Sequence, residues 1–89
     1  MIAREIIVKG KVQGVFYRAS AREKADDLGL YGWVKNRADG SVEICVEGEY
    51  RMVQEMTEWC WQGPARARVE AVDVKEVDPA GYLDFKINR

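Results

Sequence analysis

The stretch that decides the architecture is Tyr31-Gly32-Trp33-Val34-Lys35-Asn36, then Arg37-Ala38-Asp39-Gly40, then Ser41-Val42-Glu43-Ile44-Cys45-Val46-Glu47. Two runs rich in β-branched and aromatic residues flank an Asp-Gly pair, which supplies the positive φ of a tight turn. Residues 31–36 and 41–47 are therefore predicted to pair as an antiparallel hairpin. Val42, Ile44 and Val46 alternate with Glu43, Cys45 and Glu47, which predicts a sheet with one covered face and one wet face. Gly32, Val34 and Asn36 share a face of the first strand, and Asn36 stands where that strand gives way to the turn.

On either side of the hairpin lie helical patterns. In residues 16–28, Ala21, Ala25 and Leu28 fall on one stripe while Arg22, Glu23, Lys24, Asp26 and Asp27 lie mostly off it, and Gly29 is the expected stop. In residues 50–62, Val53, Met56 and Cys60 recur at helical spacing with Met52 and Trp59 beside them, and Gly63-Pro64 closes the run. Farther out, residues 4–10 read as a strand in which Ile6 and Val8 alternate with Glu5, Ile7 and Lys9. Residues 67–77 read as a long strand whose apolar positions, Val69 then Val72 and Val74, change parity and so predict a β-bulge. A short terminal segment with Tyr82, Phe85 and Ile87 is expected to dock on the sheet. The order βαββαβ predicts an α+β fold of the ferredoxin-like, split-βαβ type, an antiparallel sheet with both helices on one face. No repeat or linker interrupts residues 1–89, which are read as one domain.

Composition narrows the chemistry. Of the 89 residues 47% are hydrophobic and 33% charged, as in an ordinary globular protein, and no apolar stretch approaches the roughly 20 residues of a membrane span. The first residues, Met1-Ile2-Ala3-Arg4-Glu5, lead into an apolar run that ends at Lys9, without the pattern of a signal peptide, so the expected compartment is the cytoplasm. The chain has no histidine. That removes a His general base, a phosphohistidine and a His metal ligand, the commonest routes to hydrolysis at neutral pH. Cys45 and Cys60 form no CxxC, and neither is followed by the short loop to Arg of a thiol-dependent phosphatase. With Cys45 on the wet face and Cys60 on the covering helix, two free thiols are expected. Any catalysis must work by positioning and electrostatics. The net charge of −1 divides into +4 over residues 1–37 (eight Lys/Arg, four Asp/Glu) and −5 over residues 38–89 (six against eleven). A dispersed +4 is too weak for a nucleic-acid footprint but suits one small anion near the N-terminal half.

Between the first strand and the first helix lies Gly10-Lys11-Val12-Gln13-Gly14-Val15-Phe16-Tyr17-Arg18. Glycines let a backbone curl toward a ligand, and a helix N-terminus offers unsatisfied N–H groups and the positive end of its dipole, so this junction is a candidate anion cradle. Its amides would come from Gln13, Gly14, Val15, Phe16 and Tyr17. Arg18, in the first helical turn, carries a fork of donors able to grip two oxygens of a phosphoryl group. The spacing is neither a Walker A loop nor a GxGxxG fingerprint. On spacing alone, a turn glycine and a solvated arginine account for the same residues equally well.

The two segments together resemble the signatures of the acylphosphatase family. Gly10 to Arg18 is similar to the first, and Gly32-Trp33-Val34-Lys35-Asn36 followed by Asp39-Gly40-Ser41-Val42-Glu43 to the second. The likeness extends through Glu47-Gly48, the Trp59 helix ending in Gly63-Pro64, Ala67-Arg68-Val69 and Phe85-Lys86-Ile87. Tyr17 stands where the family usually has phenylalanine, and Asn88-Arg89 follows the closing pattern. The resemblance implies cofactor-free, metal-independent hydrolysis of small acyl phosphates to a carboxylate and inorganic phosphate, with Arg18 binding the phosphoryl oxygens and Asn36 orienting the water.

Two other readings use the same residues. An RNA-recognition domain of this fold class stacks bases on aromatics of its third strand, but here that strand carries two glutamates expected to be exposed and no aromatic, so no nucleic-acid partner is expected. A non-catalytic anion-binding or regulatory module would keep the cradle without the chemistry. Neither a membrane nor a second copy of the chain is an expected partner.

Overall fold

The computed structural model describes residues 1–89. Its elements are β1 (Ile2–Lys11), α1 (Tyr17–Asp27), β2 (Tyr31–Asn36), β3 (Val42–Gly48), α2 (Tyr50–Gln62), β4 (Arg68–Val77) and β5 (Phe85–Ile87). The hairpin forms as its pattern requires, with Asn36 opposite Val42 and Tyr31 opposite Glu47. β1 lies antiparallel to β3 on one side and to β4 on the other, giving the sheet order β4-β1-β3-β2-β5. No helix is long and apolar enough to cross a membrane.

The covered face is the one the alternation selects. Ile6, Val8, Val34, Val42, Ile44 and Val46 are fully buried against Ala21 and Ala25 of α1 and Val53, Met56 and Cys60 of α2. Apolar burial of this kind stabilises by about 25 cal/mol per Å² and is the main force holding the two layers together. The parity change in β4 is a bulge: Lys9 faces Ala71 and Gly10 faces Val69, leaving Glu70 without a partner. Gly10 has φ +126, and a Cβ there would run into the Arg68 carbonyl oxygen, so only glycine fits the crossing.

The structure departs from the sequence pattern in three places. First, the terminal segment becomes a fifth strand, β5, which pairs parallel with β2 and makes the sheet mixed around an antiparallel four-stranded centre. Residues 78–84 form a crossover that carries the chain from β4 at one edge of the sheet to β5 at the other. Second, the face predicted to be wet is partly closed at one end by that crossover. Cys45 and Glu47 are buried there, so of the third strand's two glutamates only Glu43 remains partly exposed. The Glu47 carboxylate accepts hydrogen bonds from the backbone N–H of Ala80 (2.7 Å), Gly81 (2.9 Å) and Tyr82 (2.7 Å). Three donors replace the water it has lost. The Trp33 indole then donates to the Tyr82 hydroxyl at 3.0 Å. Third, Phe16 lies outside α1 as its N-cap, in the left-handed region at φ 66, ψ 25.

Tyr17 ties the two helices together. Its hydroxyl donates to the carbonyl of Cys60 at 2.8 Å, one of the carbonyls left unpaired in the last turn of α2, and its ring packs on Trp59 at 5.4 Å. The Tyr17 hydroxyl thus has a specific acceptor. Both cysteines are free, with the sheet between them.

Two measurements follow. Burial pushes the Cys60 thiol from 9.0 up to about 12 and holds the Tyr17 phenol well above its ordinary range. The folded state therefore keeps protons that the unfolded chain releases, and stability is full below pH 9.0 and falls as pH rises toward about 12. Denaturant titrations through the alkaline range should show this loss, with native Cys60 inert to thiol reagents that modify both cysteines after unfolding. Glu47→Ala should cost about 3 kcal/mol by stranding three loop amides, whereas Glu43→Ala, at a partly exposed position, should cost under about 1 kcal/mol.

Candidate active site

The strand directions bring the junction, the hairpin turn and the start of β4 to one end of the sheet. Val42 pairs with Val8 on one side and Asn36 on the other, so the ends of β1 and β2 stand level across β3. The segment leaving β1 is anchored by Val12 and Val15, whose side chains are buried, while Gly14 and Phe16 between and after them lie exposed. Gly14 (φ 74) and Phe16 (φ 66) are left-handed and Val15 between them is not. Alternating handedness of this kind turns successive N–H groups toward one side and forms an anion-binding concavity.

The first N–H in this segment to find an acceptor within the protein is that of Ser20, which bonds the Phe16 carbonyl at 3.0 Å. The seven amides of Gln13 to Ala19 bond to no other group of the chain. They include all five predicted from sequence, together with those of Arg18 and Ala19 in the first turn of α1. Left-handed backbone at a non-glycine residue costs of order 1 kcal/mol, so Phe16 is held there by its surroundings.

Part of that hold is the side chain of Gln13. Its Nε2 donates to the carbonyls of Arg37 and Ser41, both at 2.8 Å, which fastens the loop to the turn that follows Asn36. The turn has its own closure, with the Arg37 N–H on the Ser41 carbonyl at 2.8 Å and the Ser41 N–H on the Asp39 carboxylate at 2.9 Å. The Ser41 hydroxyl also donates to that carboxylate and, with the backbone bond, holds the exposed Asp39 below its ordinary pKa. Gly40 supplies the turn's positive φ at 92.

Arg18 and Asn36 line one cleft of about 800 Å³ together with Gly14, Phe16, Tyr17, Ile87 and Arg89. Arg18 is in no ion pair, and neither it nor Asn36 spends its side chain on a hydrogen bond within the protein. Gln13 and Val15 do not line the cleft; they contribute amides and anchors. Sequence reasoning missed Ile87 and Arg89, which the parallel addition of β5 carries to the cleft, and the exposed ring of Phe16 at its rim. The closing Phe85-Lys86-Ile87 pattern was the available signal, but it does not state the direction of pairing.

No aspartate, glutamate or cysteine lines the cleft, and the hydroxyl of Tyr17 is committed to Cys60. No three His, Cys, Asp or Glu side chains of the chain converge as a metal site would require. The cleft thus offers backbone donors, two guanidinium groups and one neutral amide. It can bind an oxyanion and orient a small polar molecule beside it.

Comparison with known proteins points the same way. Residues 4–87 match the family model described as acylphosphatase. The chain is 51% identical over 81 residues to the acylphosphatase of Roseiflexus sp. (strain RS-1), covering 91% of this chain and 87% of that one. The crystal structure of acylphosphatase from Bacillus subtilis superposes with a TM-score of 0.97 at 39% identity over the full length of both chains. The structure of an acylphosphatase from Coxiella burnetii gives 0.95 at 44% identity, covering 98% of this chain and 92% of that one. With the family model matched from residue 4 to residue 87 and relatives about half identical over most of their length, the chain belongs to the acylphosphatase family.

Proposed function

We propose that this member of the family hydrolyses the carboxyl–phosphate bond of small acyl phosphates with Arg18 and the amides of Gln13 to Ala19 holding the phosphoryl group and Asn36 placing the water. The observation that carries this reading is the convergence of Arg18 and Asn36 on one cleft beside seven amides without acceptors.

Phosphoryl transfer spreads negative charge over three equatorial oxygens while the attacking and departing oxygens stand in line. The amides and the Arg18 fork meet that charge with fixed dipoles that need no reorganisation, the form of stabilisation that lowers barriers most. The departing group is a carboxylate, a weak base with a pKa of about 4, and it leaves without a proton donor. That accounts for a cleft without a general acid. Asn36 offers a carbonyl oxygen as acceptor and an amide as donor, enough to hold a water but not to take its proton near neutral pH. Water oxygen bonds to phosphorus, the phosphorus–acyl oxygen bond breaks, and the water's proton passes to a phosphoryl oxygen or to solvent. The products are a carboxylate and inorganic phosphate.

Gln13 acts at one remove. By fixing the loop to the Arg37 and Ser41 carbonyls it sets the distance between the phosphoryl group and the water on Asn36, and misplacement of about 1 Å can cost a hundredfold in rate.

Phosphate release from benzoyl phosphate tests these roles. Arg18→Lys should lower kcat/KM about a hundredfold or more, and Asn36→Ala should lower kcat with little change in KM. Near-normal turnover by both variants would remove them from the site. Gln13→Ala should lower kcat by about tenfold in the parent and much less in an Asn36→Ala background, since a residue acting through Asn36 has little left to position. Activity should survive excess chelator, and its loss, restored by an added divalent cation, would overturn the metal-independent reading. A non-catalytic module would bind inorganic phosphate yet release none from benzoyl phosphate.

A further inference from the structure

The loop has a second side. Where the Asn36 cleft opens toward β2, a groove of about 510 Å³ opens toward β4, and Gly14 lines both. Three cations line this groove, Lys11 at the end of β1 with Arg66 and Arg68 at the start of β4, and no carboxylate does. All three are exposed and none is in an ion pair. Arg68 also belongs to the Ala67-Arg68-Val69 stretch, to which the reaction assigns no role.

The direction of the reaction connects the two sides. The sheet order β4-β1-β3-β2-β5 puts Asn36 on one flank of the loop and the three cations on the other. In-line displacement requires the acyl oxygen to leave on the side of phosphorus away from the attacking water. A water on Asn36 therefore sends the acyl part of the substrate back across the loop, toward β1 and β4. Gly14 is the residue shared by the cleft and the groove, and a Cβ added there would meet nothing within 4 Å, so no side chain crowds the ridge between them.

We infer that the Lys11, Arg66 and Arg68 groove receives a second anionic group carried by the acyl part of the substrate, and that the protein prefers acyl phosphates of acids bearing an additional carboxylate or phosphate. The inference rests on Arg18 and Asn36 acting as proposed above. Exposed cations attract an anion in water only modestly and are screened by salt, so the preference belongs in substrate binding and weakens at high ionic strength.

Benzoyl phosphate and 4-carboxybenzoyl phosphate form a matched pair, rigid and differing only in a charge at the far end. At low salt the wild-type protein should favour the carboxylated substrate about fivefold or more in kcat/KM, mostly through KM. The double variant Arg66→Ala/Arg68→Ala should lose that ratio, Arg68→Lys should keep most of it, and high salt should erode it in the wild type. Unfolding midpoints of the variants check that these surface changes leave the fold intact. A wild-type ratio near one, or a ratio that survives the double substitution, would overturn the inference while leaving benzoyl phosphate hydrolysis as evidence for the reaction. Failure of the wild type to release phosphate from either compound would overturn both.

Discussion

Seven consecutive backbone donors without an acceptor are a constraint that the rest of this molecule answers. Left to itself, a chain gains roughly 0.5–1.5 kcal/mol for each such group it pairs, so the segment from Gln13 to Ala19 would tend to relax. Four features oppose that. β1 enters the segment locked between β3 and β4. Val12 and Val15 are sunk in the core on either side of Gly14. Tyr17 bolts the first turn of α1 to the last turn of α2. Gln13 clamps the loop to the neighbouring turn. The result is a set of donors kept facing outward by packing rather than by ligands.

The two ends of the sheet treat polar groups in opposite ways. Away from the cleft, Arg4 is buried yet bonded to Glu76 (2.6 Å), Gln54 (2.9 Å) and Thr57 (3.0 Å), and Glu47 is buried yet holds three amides. No buried side-chain polar atom lacks a partner. Satisfied networks of that kind rigidify a structure, whereas partly satisfied ones weaken it. Open hydrogen-bonding capacity is thus concentrated at the cleft end, where a ligand can use it.

Much of this was legible in the sequence where a period or a punctuation mark carried it. β2 and α2 begin and end at the predicted residues because alternation, helical spacing and Gly63-Pro64 leave little choice, and the β4 bulge shows as a change of parity. What escaped depends on partners that sequence does not mark. Glu47 alternates as a surface residue would, and only the amides of residues 80–82, more than thirty positions later, make it internal. β5 has three residues and no turn chemistry to fix its direction. Phe16 is an aromatic beside a helical stripe, so nothing in its type announces a left-handed backbone. The Gln13 clamp closes on carbonyl oxygens, which every residue possesses. Composition and the glycine junction indicate an anion cradle beside Arg18, while the assignment of water to Asn36 came from the family signature.

A binding surface made of main chain is also insensitive to much of what mutation can do. Every residue type except proline carries the same N–H, so within the cradle the exposed Ala19 can change without removing a donor. Vulnerability is thereby concentrated at a few points: the anchors Val12, Val15 and Tyr17, the Gln13 clamp, the conformation of Gly14 and Phe16, and the guanidinium of Arg18. A small enzyme built this way leaves most of its surface free to drift, and a chain can diverge widely from its relatives while the same pocket persists.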